Sequence, residues 1–537
     1  MRRWNGWGES SVDYPLPPKG PEFLQKHVGA GHPPKDSSLE SIVAAVPQSR
    51  LAYNSLINED PARRVFHARG QSLPDWIALR SGRIRSFPDG VAYPATNDEI
   101  AELIKFAQQT NTKLIPYGGG TSVVGHINPP SGDSPILTVN MRHMNQLHRF
   151  DEKSLLATFG AGISGPELEA RLRAIGCTLG HFPQSFELST LGGWIATRSS
   201  GQQSLGYGRI EDLYAGGRVI TPAGRLDLLP HPASAAGPDL RQIILGSEGR
   251  LGFISQATMR VALLPEKEEF HALFFPEFEQ GMAAVRQMMQ HQIPISMLRL
   301  STAVETETTL ALAGHERIIT LLEQFLAIRG VSAEKVMLLI GFTGNERIVN
   351  AARKSAFSIA RHYKGVHVGR QFGKQWHKGR FKTPYLRNTL WELGYAVDTL
   401  ETAVPWDSIL PTMVAIESAI NSGLEDSSER VHAFTHLSHM YGQGASIYTT
   451  YIFRLSPDPD ETLFRWRQMK SAASRAIIEH RGTISHQHGV GYDHAPYLPA
   501  EKGEIGMDLL NNIVVNIDPQ GVMNPGKLIK PGTKLSR

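Results

Sequence analysis

The stretch Leu114-Ile115-Pro116-Tyr117-Gly118-Gly119-Gly120-Thr121-Ser122 decides how this chain is read. A short apolar strand ends on three glycines, which bring bare backbone N–H groups together without Cβ obstruction, and Thr121 and Ser122 add hydroxyl donors. Such a nest suits an anion, a pyrophosphate included. The segment before it reads as a helix: Thr96 and Glu99 form a capping-box pattern, and Ile100, Leu103, Ile104 and Ala107 share one face. Beyond it, Gly125, Pro129 and Pro130 interrupt the chain, so no helix opens after the glycines. A Rossmann turn and a P-loop both need a helix there, and neither pattern is met. By itself a triple glycine also reads as a plain turn.

Outward from this loop, helices and strands alternate. Ser164 and Glu167 form a second capping-box pattern, starting a helix with Leu168, Leu172 and Ile175 on one side and Gly176 at its end. Residues 136–139, 218–221 and 252–261 read as strands, and Thr221-Pro222-Ala223-Gly224 as a turn. The fold class is α+β with mixed sheets. Pro265 followed by charges to Glu269 reads as a boundary, after which a strand at 270–275 and a helix at 278–290 restart the alternation. Three parts result: a partly helical N-terminal extension at 1–85 without evident chemistry of its own, a ligand-binding domain at 86–265, and a second α+β domain at 266–537.

With 537 residues the chain is long enough for two or more cores. A net charge of +4 is too slight to argue for nucleic acid or an anionic membrane. The single cysteine, Cys177, excludes an intramolecular disulfide and a cysteine-based metal cluster, and reads as a small apolar filler. No apolar run approaches a membrane span, the N-terminus lacks a secretory core, and Lys534-Leu535-Ser536-Arg537 is not the peroxisomal tripeptide. The expected compartment is the cytoplasm.

Three further segments share the small, hydroxyl-rich character of the opening loop. They are Pro183-Gln184-Ser185-Phe186-Glu187-Leu188-Ser189-Thr190, Ala196-Thr197-Arg198-Ser199-Ser200-Gly201 and Gly246-Ser247-Glu248-Gly249-Arg250-Leu251-Gly252-Phe253-Ile254. Four such segments are better explained by backbone and hydroxyls wrapped around one extended polar ligand. Their order resembles the FAD-binding domain of the vanillyl-alcohol oxidase / p-cresol methylhydroxylase superfamily. Trp4-Asn5-Gly6-Trp7-Gly8, Gly192-Gly193-Trp194-Ile195-Ala196-Thr197-Arg198 and Glu401-Thr402-Ala403-Val404-Pro405-Trp406-Asp407 are similar to its alkyldihydroxyacetonephosphate synthase branch.

The resemblance implies a two-subdomain FAD-binding domain, then a cap domain whose C-terminal segment returns to the flavin. FAD contacts would come from Pro116, Tyr117, Gly118, Gly119, Gly120, Thr121 and Ser122, from Gln184, Ser185, Ser189 and Thr190, from Thr197, Arg198, Ser199 and Ser200, and from Glu248, Gly249, Leu251, Gly252 and Ile254. The nearest histidine, His126, lies beyond the glycine loop, so non-covalent FAD is expected. The substrate would be a small molecule or lipid and the assembly a homodimer, with room for peripheral membrane contact.

The chemistry is expected in the second half. Ser485-His486-Gln487-His488-Gly489 holds two imidazoles two residues apart, which point to one side if the segment is extended. Gln487 replaces the middle of three histidines in the resembled branch. Tyr448 falls on that branch's active-site tyrosine, with general base as a candidate role, and Arg387, fourteen residues before Glu401, on its phosphate-binding arginine. Three features fit less well. The branch's arginine shortly before Gly237-Pro238-Asp239 has no counterpart at 230–236, and the pair in His436-Leu437-Ser438-His439 is absent from animal synthases. Asp518-Pro519 and Asn524-Pro525-Gly526-Lys527 are more similar to FAD-linked 2-hydroxy-acid dehydrogenases.

Two reactions therefore stand. One exchanges the acyl group of acyl-dihydroxyacetone phosphate for a fatty alcohol through an adduct at flavin N5, in ether lipid synthesis. The other passes hydride from a hydroxy acid or related alcohol to the same flavin. A non-catalytic flavin protein is third. Four histidines without an assured carboxylate partner do not define a metal site, and none is expected.

Overall fold

The computed structural model describes residues 1–314, 316–425 and 429–529. The opening stretch is a strand, Lys113–Tyr117, followed by an irregular loop with no helix behind it. It pairs in parallel with Ile136–Asn140, which in turn pairs in parallel with Gly90–Ala92 in a four-stranded sheet. The helix Asn97–Thr110 buries Ile100, Leu103, Ile104 and Ala107 against this sheet, as the spacing predicts. Its capping box is half made. Thr96 accepts from the Glu99 N–H at 3.2 Å, but the Glu99 carboxylate takes the N–H of Ala95 instead of Thr96.

A five-stranded antiparallel sheet follows in the order Leu147–Asp151, Leu156–Gly160, Phe253–Arg260, Tyr214–Thr221, Gly224–Leu228. Beside it the helix Gly165–Arg173 buries Leu168 and Leu172, and Cys177 packs into the same core. Ile175, expected on the apolar face, is 40% exposed, because the helix stops at Arg173 and the chain turns through Gly176 at φ 75°.

The rest of the chain is built on a seven-stranded sheet in the order Val366–His367, Lys267–Phe275, Val336–Gly344, Met297–Ser301, Val431–Met440, Gly444–Arg454, Tyr395–Pro405. All its neighbours are antiparallel. Phe278–Gln290, Glu346–His362, Ile409–Ser422 and Pro459–Glu479 are helices packed on its core. Residues 267–269, expected in a boundary, already belong to its second strand. Their charges are tolerated because Lys267 pairs with Glu346 and the buried Glu269 pairs with Arg353 at 2.8 Å.

The chain end comes back to the opening strand. Leu114 N–H donates to Val522 O at 2.7 Å and Asn524 N–H donates to Leu114 O at 2.8 Å, while the Asp518 carboxylate accepts from the N–H groups of Val522 and Met523. Among the described residues no helix is long and apolar enough to cross a membrane. The tetrapeptide 534–537 lies outside the described residues.

Candidate active site

A cavity of about 490 Å³ lies between the glycine loop and the seven-stranded sheet. Its volume is in the range of small-molecule and cofactor sites. All seven residues from Pro116 to Ser122 line it, with Gln184, Ser185, Ser189, Thr190, Thr197, Ser199, Ser200, Glu248, Gly249, Gly252 and Ile254. The glycines are needed for close packing as well as for their N–H groups. A Cβ on Gly119 would sit 1.9 Å from the Leu188 carbonyl oxygen, and one on Gly118 2.2 Å from Thr190 Oγ1. The Ser122 hydroxyl, expected to serve the ligand, is instead 2.8 Å from His126 Nδ1.

Three candidate residues do not line the cavity. Arg198 turns back to Leu245 O and Gln242 Oε1, Leu251 is buried in the core of the five-stranded sheet, and His486 points away from the cavity. The 485–489 segment is a bent loop wrapped on Glu401: His486 Nδ1 lies 3.7 Å and His488 Nδ1 3.5 Å from its carboxylate, but only His488 lines the cavity. His486 Nε2 meets the Arg209 guanidinium at 2.5 Å and the Tyr441 hydroxyl at 2.7 Å, whereas Gln487 and His488 face the cavity.

The rest of the candidate chemistry does converge. Arg387 and Tyr448 line the same cavity as His488. Arg387 is held from behind by a 2.7 Å bond to Gln71 O and by the Trp76 ring, 4.4 Å from its guanidinium carbon. Tyr448 donates to Thr399 Oγ1 at 3.2 Å, and burial pushes its phenol up to about 12. His436 stacks on one side of Tyr448 with ring centres 5.0 Å apart, and His488 meets the ring edge-on at 5.8 Å.

Carboxylates that the sequence could not assign complete the cluster. Glu401, opposite Tyr448 in the neighbouring strand, accepts from the N–H groups of Gln487 at 2.7 Å and His488 at 2.8 Å and from Ser485 Oγ at 3.2 Å. Burial pushes its carboxyl up, but His488, His486 and the Gln487 N–H outweigh this and hold it well below the ordinary glutamate value. Glu305 pairs with His436 Nδ1 at 3.0 Å and with Arg299. The histidines therefore do have carboxylate partners, from positions far away in the chain.

Comparison with known proteins agrees with this architecture. Residues 88–227 match the family model described as FAD binding domain, and residues 264–528 the one described as FAD linked oxidases, C-terminal domain. The alkyldihydroxyacetonephosphate synthase of Dictyostelium discoideum is 33% identical over 480 residues, covering 88% of this chain and 78% of the relative. The chain belongs to the alkyldihydroxyacetonephosphate synthase family. A solved alkyldihydroxyacetonephosphate synthase superposes with a TM-score of 0.83 at 29% identity, covering 98% of both chains. Substrate-bound p-cresol methylhydroxylase shares the fold at TM-score 0.65 and 12% identity, covering 92% of this chain and 96% of that one.

As a member of this family the chain is an FAD-linked enzyme. The cavity suits the cofactor: a bare-backbone cradle at 118–119, closed by the Thr190 side chain and the Leu188 backbone, and two lining side-chain oxygens, Gln202 Oε1 and Asn524 Oδ1, that are buried without a hydrogen-bond partner among the described residues.

The N-terminal extension contributes more than its composition suggested. Arg2 donates to Gly119 O at 2.5 Å, Trp7 lines the cavity, and Gln71 and Trp76 seat Arg387. Only the Trp4-to-Gly8 run carried a signal for this. Asn524, from the chain end, ties the site together by donating to Glu248 O and His126 O.

Proposed function

We propose that this flavoenzyme exchanges the acyl group of acyl-dihydroxyacetone phosphate for a fatty alcohol. The observation that carries this reading is that Arg387, Tyr448 and His488 face the same cavity as the 116–122 loop. FAD would be held non-covalently by 116–122, 184–190, 197–200 and 248–254. His126, the histidine nearest the loop, has Nδ1 against Ser122 and Nε2 3.1 Å from Glu248, which supports a role in shaping the loop. When bound, the flavin supplies a reactive N5 at the substrate carbon, and the exchange needs no net oxidation.

The protein's own groups divide the remaining work. One Arg387 N–H goes to Gln71, and a bidentate phosphate contact takes two of its other donors. Partial desolvation in this half-buried position strengthens that contact. Leu312, Leu386, Leu390, Val397, Phe434 and Ile452 form an apolar stretch of the lining suited to a hydrocarbon chain. Tyr448, protonated near neutral pH, fits a hydrogen-bond donor to the departing acyl oxygen better than the base its position suggested. His488 has Nδ1 3.5 Å from Glu401, leaving Nε2 for the proton at the substrate carbon.

The test is anaerobic. The yellow protein is mixed with acyl-dihydroxyacetone phosphate and fatty alcohol, and separately with lactate and glycolate. Fatty acid release without consumption of reducing equivalents is expected. Full flavin reduction by a hydroxy acid would overturn the exchange reading in favour of a dehydrogenase. Tyr448→Phe should keep FAD and lose about 100-fold or more in turnover; wild-type turnover would refute its role.

A further inference from the structure

His436 has no part in the roles above, yet its setting is that of an oriented base. It lies on the strand Val431–Met440, opposite Ser301 on one side and Tyr448 on the other. Its Nδ1 is 3.0 Å from Glu305 Oε2, and Glu305 is only 2% exposed. An ionised carboxylate can only accept, so Nδ1 carries the hydrogen and Nε2 keeps its lone pair. Glu305 is fixed in turn by Arg299 and by its place in the first turn of the helix Ala303–Ala311. The imidazole lines the cavity and stacks on Tyr448, which places two imidazoles, His436 and His488, on different sides of one phenol.

We propose that His436, oriented by Glu305, is a second proton-accepting residue of this site and takes the hydroxyl proton of the incoming alcohol. The role rests on the exchange reading. The alcohol O–H bond breaks and an N–H bond forms at Nε2. The oxygen's electron pair makes the new C–O bond at the carbon from which the acyl oxygen departs, with its own pair, as carboxylate. The proton then leaves His436 for solvent, so the step balances without oxidant or reductant. The charged and titratable groups facing the ring are Glu305 from the helix, Arg299 and Tyr448 from the flanking strands, and His439 on its own strand. Burial and Arg299 push the imidazole below its ordinary value and Glu305 opposes them, which leaves it neutral and able to accept near pH 7.

The experiment compares His436→Gln and Glu305→Gln with wild type, all FAD-loaded. Flavin absorbance, KM for acyl-dihydroxyacetone phosphate, and the pH profile of ether formation from hexadecanol are read. His436→Gln should retain flavin and acyl-substrate KM, lose 100-fold or more in alcohol-dependent kcat, and lose the acidic limb of the profile. Glu305→Gln keeps an acceptor for Nδ1 but removes the charge that favours the imidazolium. It should lose roughly tenfold and move the acidic limb to lower pH. Wild-type kcat and limb in His436→Gln would overturn the proposal, as would an unmoved limb in Glu305→Gln. A loss confined to flavin or acyl-substrate binding would assign His436 to packing and overturn it too. Wild-type protein that releases no fatty acid would instead refute the exchange reading, which separates the two failures.

Discussion

Glu401 offers a sharp test of how this site is built. Its side chain is 1% exposed and its Oε1 gathers the Gln487 N–H, the His488 N–H and Ser485 Oγ, so one buried oxygen sets the loop that presents His488. Replacement by alanine removes all three hydrogen bonds; the His488 N–H keeps Ser485 Oγ at 3.1 Å, but the Gln487 N–H is left without an acceptor, at about 1–3 kcal/mol on top of the lost charge assistance. Glutamine keeps an acceptor oxygen but gives up the charge assistance of three hydrogen bonds, roughly 2 kcal/mol in total. Thermal unfolding of the FAD-loaded protein should rank wild type above Glu401→Gln and Glu401→Ala lowest. Fatty acid release should fall in the same order while the flavin stays bound, because the cofactor loop at 116–122 makes no contact with this carboxylate among those described. A Glu401→Ala protein within 1 kcal/mol of wild type and with wild-type kcat would refute the claim that this oxygen organises the loop.

Two other perturbations follow from the same coordinates. Gly119→Ala puts a methyl 1.9 Å from Leu188 O and 2.8 Å from Ser189 Cα, both backbone, so the cradle must shift; FAD titration should show at least tenfold weaker binding, and unchanged affinity would refute the packing role. Burial raises Asp493 from 3.8 to about 7, so the folded state holds its proton more tightly than the unfolded chain does. Stability is then greatest below the unfolded value and is lost as pH rises through 7, by about 4 kcal/mol at most. Asp493→Asn should accordingly gain more over wild type at pH 8 than at pH 5 in urea melts, and a gain independent of pH would count against this.

The strand and glycine loop at 113–122, the helix at 97–110 and the hydroxyl segments that make up most of one cavity wall were legible in the sequence. These are local matters: apolar period, caps and bare glycine backbone are written in neighbouring residues. The sequence also brought Arg387, Tyr448 and His488 forward, through a whole-chain resemblance. That His486 stays out of the cavity lining emerged from the packing of distant segments, because Arg209, from 277 residues earlier, binds its imidazole and backbone oxygen. Likewise that packing alone showed that Glu305 and Glu401 partner the histidines, and that Gln71 and Trp76 seat the arginine. Such pairings join residues dozens to hundreds of positions apart through sheet register and buried electrostatics, which leave no local pattern. The Gly118-Gly119-Gly120 loop marks where a ligand lies; the orientation of each imidazole beside it is set by Arg209, Glu305 and Glu401, each far from its histidine in the chain.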